Sequence, residues 1–384
     1  MKHEYTLGAI ILATILLING IVMAACPTAD LTDDCFVDIE DFAVLASQWL
    51  ANDPCVPDYM IYIPGGSFQM GDSFSEGNLD ERPVHTVNLD TFYIGQYEVT
   101  NQQYCDFLNS ALSQGLISVI SVVYKAGSGT NYPYCYTYAS SSYSQINYSG
   151  GIFSVRTKYG RSMANDPMVM VSWYGAVAYC NWLSQQYGRE QCYNLSTWVC
   201  DFTKNGFRLP TEAEWERAAR GDVSGNRFPW GNTISYSQVN YFSSMQPYDL
   251  SPIKYEYHPI WGDGGEPYTS PVGFFNGTLK YKSSYNWPGS ATIYQTTSGS
   301  NDYDLFDMAG NVSEWCNDWY SNSYYNSSPP KNPTGPTTGT LRIVRGGNYG
   351  ILEGFCRIAY RNYDNINTPT LRKNCLGFRI ALDF

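Results

Sequence analysis

GFRLPTEAEWERAARG, residues Gly206–Gly221, is the stretch on which the fold turns. Pro210 and Thr211 open a helix: Thr211 is placed to cap it, and Glu212 and Glu214 fall in the first turn, where free amides and the positive end of the helix dipole favour carboxylates. Trp215 and Ala218 share one face and Arg217 lies on another, so the segment reads as a core helix. A second helical pattern begins near Trp173, in WYGAVAYCNWLSQQYG. Elsewhere between Tyr59 and Phe384 turn signals recur every few residues, and no further domain boundary shows. Two polar tracts rich in Tyr, Ser and Gly, roughly Ser110–Arg161 and Ser244–Asp302, read as surface insertions, either ordered lobes or mobile loops.

The composition agrees with an irregular, loop-rich protein: 34 Tyr, 34 Gly and 20 Pro, with only 15% charged residues. A chain of 384 residues suffices for one large core plus an appendage. The formal net charge is −12, and no basic run occurs, which excludes nucleic acid as a partner and makes cations the natural complement. Residues 1–25 have the pattern of a secretory signal, with Lys2 and His3 ahead of the apolar run Leu7–Met23 and small residues before Cys26. The protein is therefore expected to be exported, to the periplasm, the cell surface or beyond, with Cys26 a candidate for lipid attachment. Eleven cysteines in an exported chain point to disulfides, with at least one thiol left over.

Residues 26–57 form a small unit and linker. Counting from Asp30, side-chain oxygens fall at positions 1, 3, 5, 9 and 12 (Asp30, Thr32, Asp34, Asp38, Asp41), and Phe36 offers its carbonyl at position 7. That is the spacing of a twelve-residue calcium loop, followed by the helical pattern FAVLASQWL. The stretch resembles one half of a type I dockerin, with Cys35 where Gly is usual, Thr32 in place of Asp or Asn, and no second repeat. The competing reading is an acidic helix start whose Asp side chains cap free amides.

Residues 58–384 carry, in order, MIYIPGGSFQMGD (Met60–Asp72), RPVHTVNLDTFYIGQYEVTNQQYCDF (Arg82–Phe107), DPMVMVSWYGAVAYCNWLS (Asp166–Ser184), the Gly206–Gly221 stretch, FPWGN (Phe228–Asn232), LFDMAGNVSEW (Leu305–Trp315), VRGGNY (Val344–Tyr349) and LGFRIA (Leu376–Ala381). This succession resembles the sulfatase-modifying-factor family, the domain of the formylglycine-generating enzyme. The resemblance implies an α+β, C-type-lectin-like fold with little regular secondary structure. It also implies calcium at the Asp307–Glu314 loop, held by the Gly310 and Val312 carbonyls and Glu314 with Asp307 and Asn311. A second calcium site maps to Asn240, the Tyr241 carbonyl, Asp263 and the Gly265 carbonyl.

In the family, copper(I) is held by two thiolates five residues apart, just after the Gly-Gly pair. Soft Cu(I) takes a linear dithiolate, so both sulfurs are needed. With Gly346-Gly347 on that motif, Cys356 occupies the second position as the candidate catalytic thiol, Ile351 the first, and Asn348 a position usually held by Ser. Aligning RIAYR (Arg357–Arg361) with the family's Arg-x-Ala-x-Arg run instead leaves both copper positions empty, and a Cys356–Cys375 disulfide is the economical alternative. Copper is thus not expected. His3, His85 and His258 are too few and scattered for the iron-dependent branch of the family, and neither a Walker loop nor a G-x-S-x-G elbow occurs. The expectation is a calcium-stabilised binding or accessory protein whose Tyr-rich tracts meet a protein, peptide or glycan. The alternative is an oxidase converting a substrate cysteine to formylglycine.

Overall fold

The computed structural model describes residues 37, 38, 41, 56–362 and 367–384. The chain separates into two units, Met1–Asp58 and Tyr59–Phe384. In the first, the Asp38 amide donates to Asp41 Oδ2 at 2.9 Å, and Asp41 is helical. The leader, Cys26, Asp30, Thr32, Asp34 and Phe36 lie outside the described residues. Among the described residues, no helix is long and apolar enough to cross a membrane.

The second unit mixes short strands with three helices of eight or more residues among the described residues. Its main sheet is antiparallel and ties the two ends of the unit together: β1 (Met60–Ile63) pairs with a strand at Phe92–Gly95, which pairs with Ala381–Asp383, and this in turn with Phe207–Arg208. A hairpin of Gly66–Met70 and His85–Leu89 fills the loop after β1. A second sheet sets Ser313–Trp319 between Arg342–Arg345, antiparallel, and Leu376–Gly377, parallel.

Helix α1 (Asn101–Ser113) is the element the sequence reading missed. Its signal was present: Thr100 caps it and Gln103 closes a capping box. Helix α2 (Trp173–Gln186) starts at the Ser172 cap, and α3 (Glu212–Arg220) at Thr211 with Glu214 completing the box, as expected.

All nine residues of α3 are buried, including its three Glu and two Arg. Trp215 and Ala218 pack with Ile63, Val87, Ile94, Met308 and Ile343, which is the core. The polar side chains are buried because each meets an opposite charge. Arg361 grips Glu212 through Nε at 2.7 Å and Nη2 at 2.9 Å. Arg208 holds both Glu214 oxygens at 2.7 Å. Glu216 accepts from Arg220, from the Gly71 amide at 2.8 Å and from Arg345. Buried carboxylates survive only when paired and hydrogen-bonded in this way. Asp318 adds a second cap, accepting from the Glu212 amide at 2.9 Å.

Both Tyr-rich tracts are ordered lobes. The first contains a three-stranded sheet, Ile117–Ile120, Val122–Lys125 and Pro133–Tyr136, and the hairpin Ile146–Ser149/Ile152–Val155. The second closes around its own cluster of Ile260, Trp261, Phe274, Phe275 and Trp287. His258 sits buried beside it, its Nε2 2.8 Å from the Tyr236 carbonyl, and burial pushes its pKa down to about 3, so it is a neutral structural imidazole.

The expected disulfides do not form among Cys105, Cys135, Cys180, Cys192, Cys200, Cys316 and Cys356, which are free thiols. The proposed Cys356–Cys375 bridge is therefore corrected. Cys356 is enclosed in an apolar cluster that includes no other cysteine, whereas Cys375 is half-buried at the edge where its carbonyl accepts from the Ser313 amide.

Candidate functional site

The strand Arg342–Arg345 ends in Gly346 and Gly347, both with positive φ (90° and 73°). Gly347 has a steric reason to lack a side chain: a Cβ there would lie 2.7 Å from Cys356 Sγ. The chain then turns on Asn348, whose Oδ1 accepts from the Gly350 amide at 2.9 Å and whose Nδ2 donates to Ser313 Oγ at 3.0 Å. It returns through a short 3-10 helix, Glu353–Cys356, that carries the thiol beneath Gly347.

Cys356 is fully buried with Phe228, Ile234, Tyr236, Val239, Tyr241 and Ala309. Burial is the main cause that raises its thiol pKa, and the Glu353 carboxylate adds to it, so the sulfur stays protonated. Glu353 is itself held by Ser244 Oγ at 2.6 Å. Ile351 packs half-buried against the same cluster and offers no donor atom. Residues 351 and 356, onto which the Gly346-Gly347 alignment places the two expected copper ligands, thus sit on one apolar cluster, and only Cys356 carries sulfur.

Outside this cluster lies an aromatic ledge of which the sequence reading covered only Tyr257 and Tyr268, as part of a Tyr-rich tract. Phe242 meets Tyr257 (ring centroids 4.9 Å apart), Tyr257 meets Tyr268 (4.8 Å), and Tyr268 meets Tyr349 (5.8 Å). The Phe242 amide donates to the Ile351 carbonyl at 3.1 Å, which ties the ledge to the strip that carries Cys356. Phe242, Tyr257 and Tyr268 are half-exposed, and Leu352 and Phe355 stand out to solvent on the same strip.

The two stretches of the large unit that were expected to bind calcium meet through their backbones. The Asn311 amide donates to the Asn240 carbonyl and the Gly310 amide to the Gly346 carbonyl, both at 2.8 Å. Asp307 and Asn311 hold left-handed backbone, which Asp and Asn tolerate better than most residues. Glu314 is engaged by Arg379 on both oxygens and by Trp215 Nε1 at 2.7 Å. Asp307 Oδ2 accepts from the Gly273 amide at 2.6 Å, and burial raises its pKa to about 6. Asn311 spends its Oδ1 on Ser270 and its Nδ2 on Glu98 Oε1 at 3.2 Å. Val312 is a buried core residue.

Glu98, which the sequence reading overlooked, is the buried carboxylate beside this loop. Burial first, then the charges of Asp307 and Glu314, raise its pKa, and its Oε2 has no partner. Its position in YEVTN just ahead of α1 was the available signal.

At the second stretch, Asn240 Nδ2 donates to the Tyr268 carbonyl at 2.7 Å while its buried Oδ1 has no partner. Tyr241 is fully buried, its hydroxyl on Asp249 at 2.6 Å. Asp263 is solvent-exposed, and the Gly265 carbonyl accepts from the Lys158 ammonium, so neither is engaged with Asn240. Orphaned, buried acceptors at Glu98 and Asn240 are consistent with oxygen-ligated cations at both stretches. Among the described residues, no three His, Cys, Asp or Glu side chains gather to hold a metal ion, so calcium here needs carbonyl oxygens as well.

The family model described as sulfatase-modifying factor enzyme 1-like domain matches residues 48–384. The chain is 33% identical over 347 residues to the formylglycine-generating enzyme of Streptomyces coelicolor, covering 84% of this chain and 88% of that enzyme. It is 25% identical over 356 residues to the inactive C-alpha-formylglycine-generating enzyme 2 of Bos taurus, covering 88% and 93%. Among solved structures it resembles the Treponema denticola variable protein 1, with a TM-score of 0.52 at 25% identity, covering 85% of this chain and 95% of that one.

Proposed function

The chain belongs to the sulfatase-modifying factor enzyme 1-like family, and from that membership we propose that it is an exported, non-catalytic member with a C-type-lectin-like fold that binds a ligand on its aromatic face. The observation that carries this reading is Ile351 in the place of the first copper-binding cysteine, beside a Cys356 thiol that is buried and held protonated. A dithiolate cannot form from one sulfur, and a buried, protonated thiol must first lose its proton before it can hold Cu(I). The ligand is a protein, peptide or glycan, met by the half-exposed rings of Phe242, Tyr257 and Tyr268, which the buried Tyr349 backs. The similarity to an inactive relative in cattle supports the same reading. The second reading, an oxidase making formylglycine, is favoured by the 33% identity to the Streptomyces enzyme. A Cys-x-Pro-x-Arg peptide incubated with the protein, Cu(I) and oxygen separates the two: mass spectrometry is expected to find the cysteine unchanged, and aldehyde formation with turnover establishes the oxidase.

Calcium in this reading is structural. Glu98, Asp307 and the Gly310 and Val312 carbonyls are the candidates at one stretch, with Glu314 lending charge from its Arg379 pair, and Asn240 with the Tyr241 carbonyl are those at the other. The ion joins segments that lack ladder hydrogen bonds, and by binding only the folded chain it raises the melting temperature. EGTA is expected to lower Tm by several degrees and added calcium to restore it, with magnesium less effective. A Tm indifferent to EGTA removes calcium from the large unit. The Asp30–Asp41 loop is proposed as a separate calcium motif of the small unit, and titration of a peptide spanning it tests that point.

A further inference from the structure

We propose that the groove between α1, α2 and the three-stranded sheet of the first Tyr-rich lobe is a binding site for a small organic carboxylate with an apolar body. The cavity measures about 300 Å³, the size of a small-molecule site. It shares no lining residue with the Cys356 cluster or the aromatic ledge.

Helical spacing builds two of its walls. Phe107 and Ala111 stand one turn apart on α1. Ala178, Trp182 and Gln185 follow one stripe of α2. The two alanines leave the space, and the Phe107 and Trp182 rings, 5.6 Å apart, give it flat apolar sides. Trp182 is fixed in place because its Nε1 donates to Ser110 Oγ at 3.0 Å, so its face and not its polar edge is offered. Ile117 and its cross-strand partner Lys125 form the third wall.

The polar groups select the ligand. Lys125 is half-buried, and among the described residues no carboxylate pairs with it. In a chain of net charge −12, an ammonium at the rim of an apolar cavity with no carboxylate partner favours an anionic head group there. Tyr134, only 2% exposed, also lines the cavity, and among the described residues its hydroxyl makes no hydrogen bond. Burial raises its pKa, so it remains a neutral donor. A ligand with one carboxylate and an aromatic or aliphatic body gives the ammonium and the hydroxyl an acceptor and fills the walls.

The test is calorimetric titration of the full chain with 3-phenylpropionate, with octanoate, and with the neutral 3-phenylpropan-1-ol. Both acids are expected to bind, and the alcohol about tenfold more weakly, the effect of one lost charge-assisted hydrogen bond. Lys125→Gln, at a half-exposed strand position, is expected to weaken the acids about tenfold and abolish their advantage over the alcohol. Tyr134→Phe should weaken acid and alcohol alike. Circular dichroism and thermal melts check that each variant is folded. The proposal is overturned if acids and alcohol bind equally, if nothing binds at millimolar concentration, or if Lys125→Gln leaves acid affinity unchanged. It is also overturned if sedimentation finds a dimer that Leu116→Asp disperses, because the groove's occupant is then a second copy.

Discussion

Titrated with Cu(I) under argon against a competing chelator, the wild-type protein is expected to keep no stoichiometric copper, whereas Ile351→Cys keeps one equivalent. The expected gain is several orders of magnitude in affinity, because one sulfur becomes two and Cu(I) prefers a linear pair of thiolates. Geometry favours the gain. Residue 351 already packs on the cluster that encloses Cys356, and its amide is held by the Asn348 carbonyl, so a new thiol enters a formed turn. Burial opposes ionisation of Cys356, so binding must release protons and will strengthen as pH rises. Copper retained by the wild type overturns the non-catalytic reading, because it exposes a second donor not accounted for. An Ile351→Cys variant that stays empty overturns the Gly346-Gly347 alignment instead, favours the Arg357–Arg361 one with both positions lost, and leaves the non-catalytic reading in place.

The other large effect concerns stability. Glu216→Gln removes a charge that is fully buried and shared by Arg220 and Arg345. Arg345 is also fully buried; it keeps the carbonyls of Ile358, Ala359 and Tyr360, but the nearest carboxylate left to it is Glu212 at 3.4 Å. Breaking such a pair from one side costs about 3–5 kcal/mol, a large part of the roughly 5–15 kcal/mol that holds a typical domain together. Urea unfolding is expected to show that loss, and to show under about 1 kcal/mol for Glu190→Gln, which breaks the exposed pair with Lys204. Equal effects of the two substitutions contradict the role assigned to α3.

These predictions also mark where the sequence speaks. The caps of α2 and α3, the Gly346-Gly347 turn and the order of motifs are local chemistry, and each is found where its residues imply. The burial of α3 is legible only in part: Trp215 and Ala218 announce a core face, but its Glu and Arg residues read as solvent-facing until their partners, brought in from Arg208, Arg345 and Arg361, are known. Disulfides were inferred from counting cysteines, yet pairing is a property of the tertiary fold, and Cys356 finds apolar neighbours instead. Glu98 escaped for the converse reason. A single carboxylate in a β-to-helix turn looks like surface until the Asp307 loop closes over it. Asp263 and Gly265 belong to a long insertion, where counting along the chain gives no register in space.

The lobe around Trp261, Phe274 and Trp287 has a wider consequence. A surface segment that packs on its own apolar nucleus can be lengthened, shortened or exchanged without disturbing the charged helix at the centre. The stability of the charged centre and the shape of the surface are thereby carried by different parts of the chain.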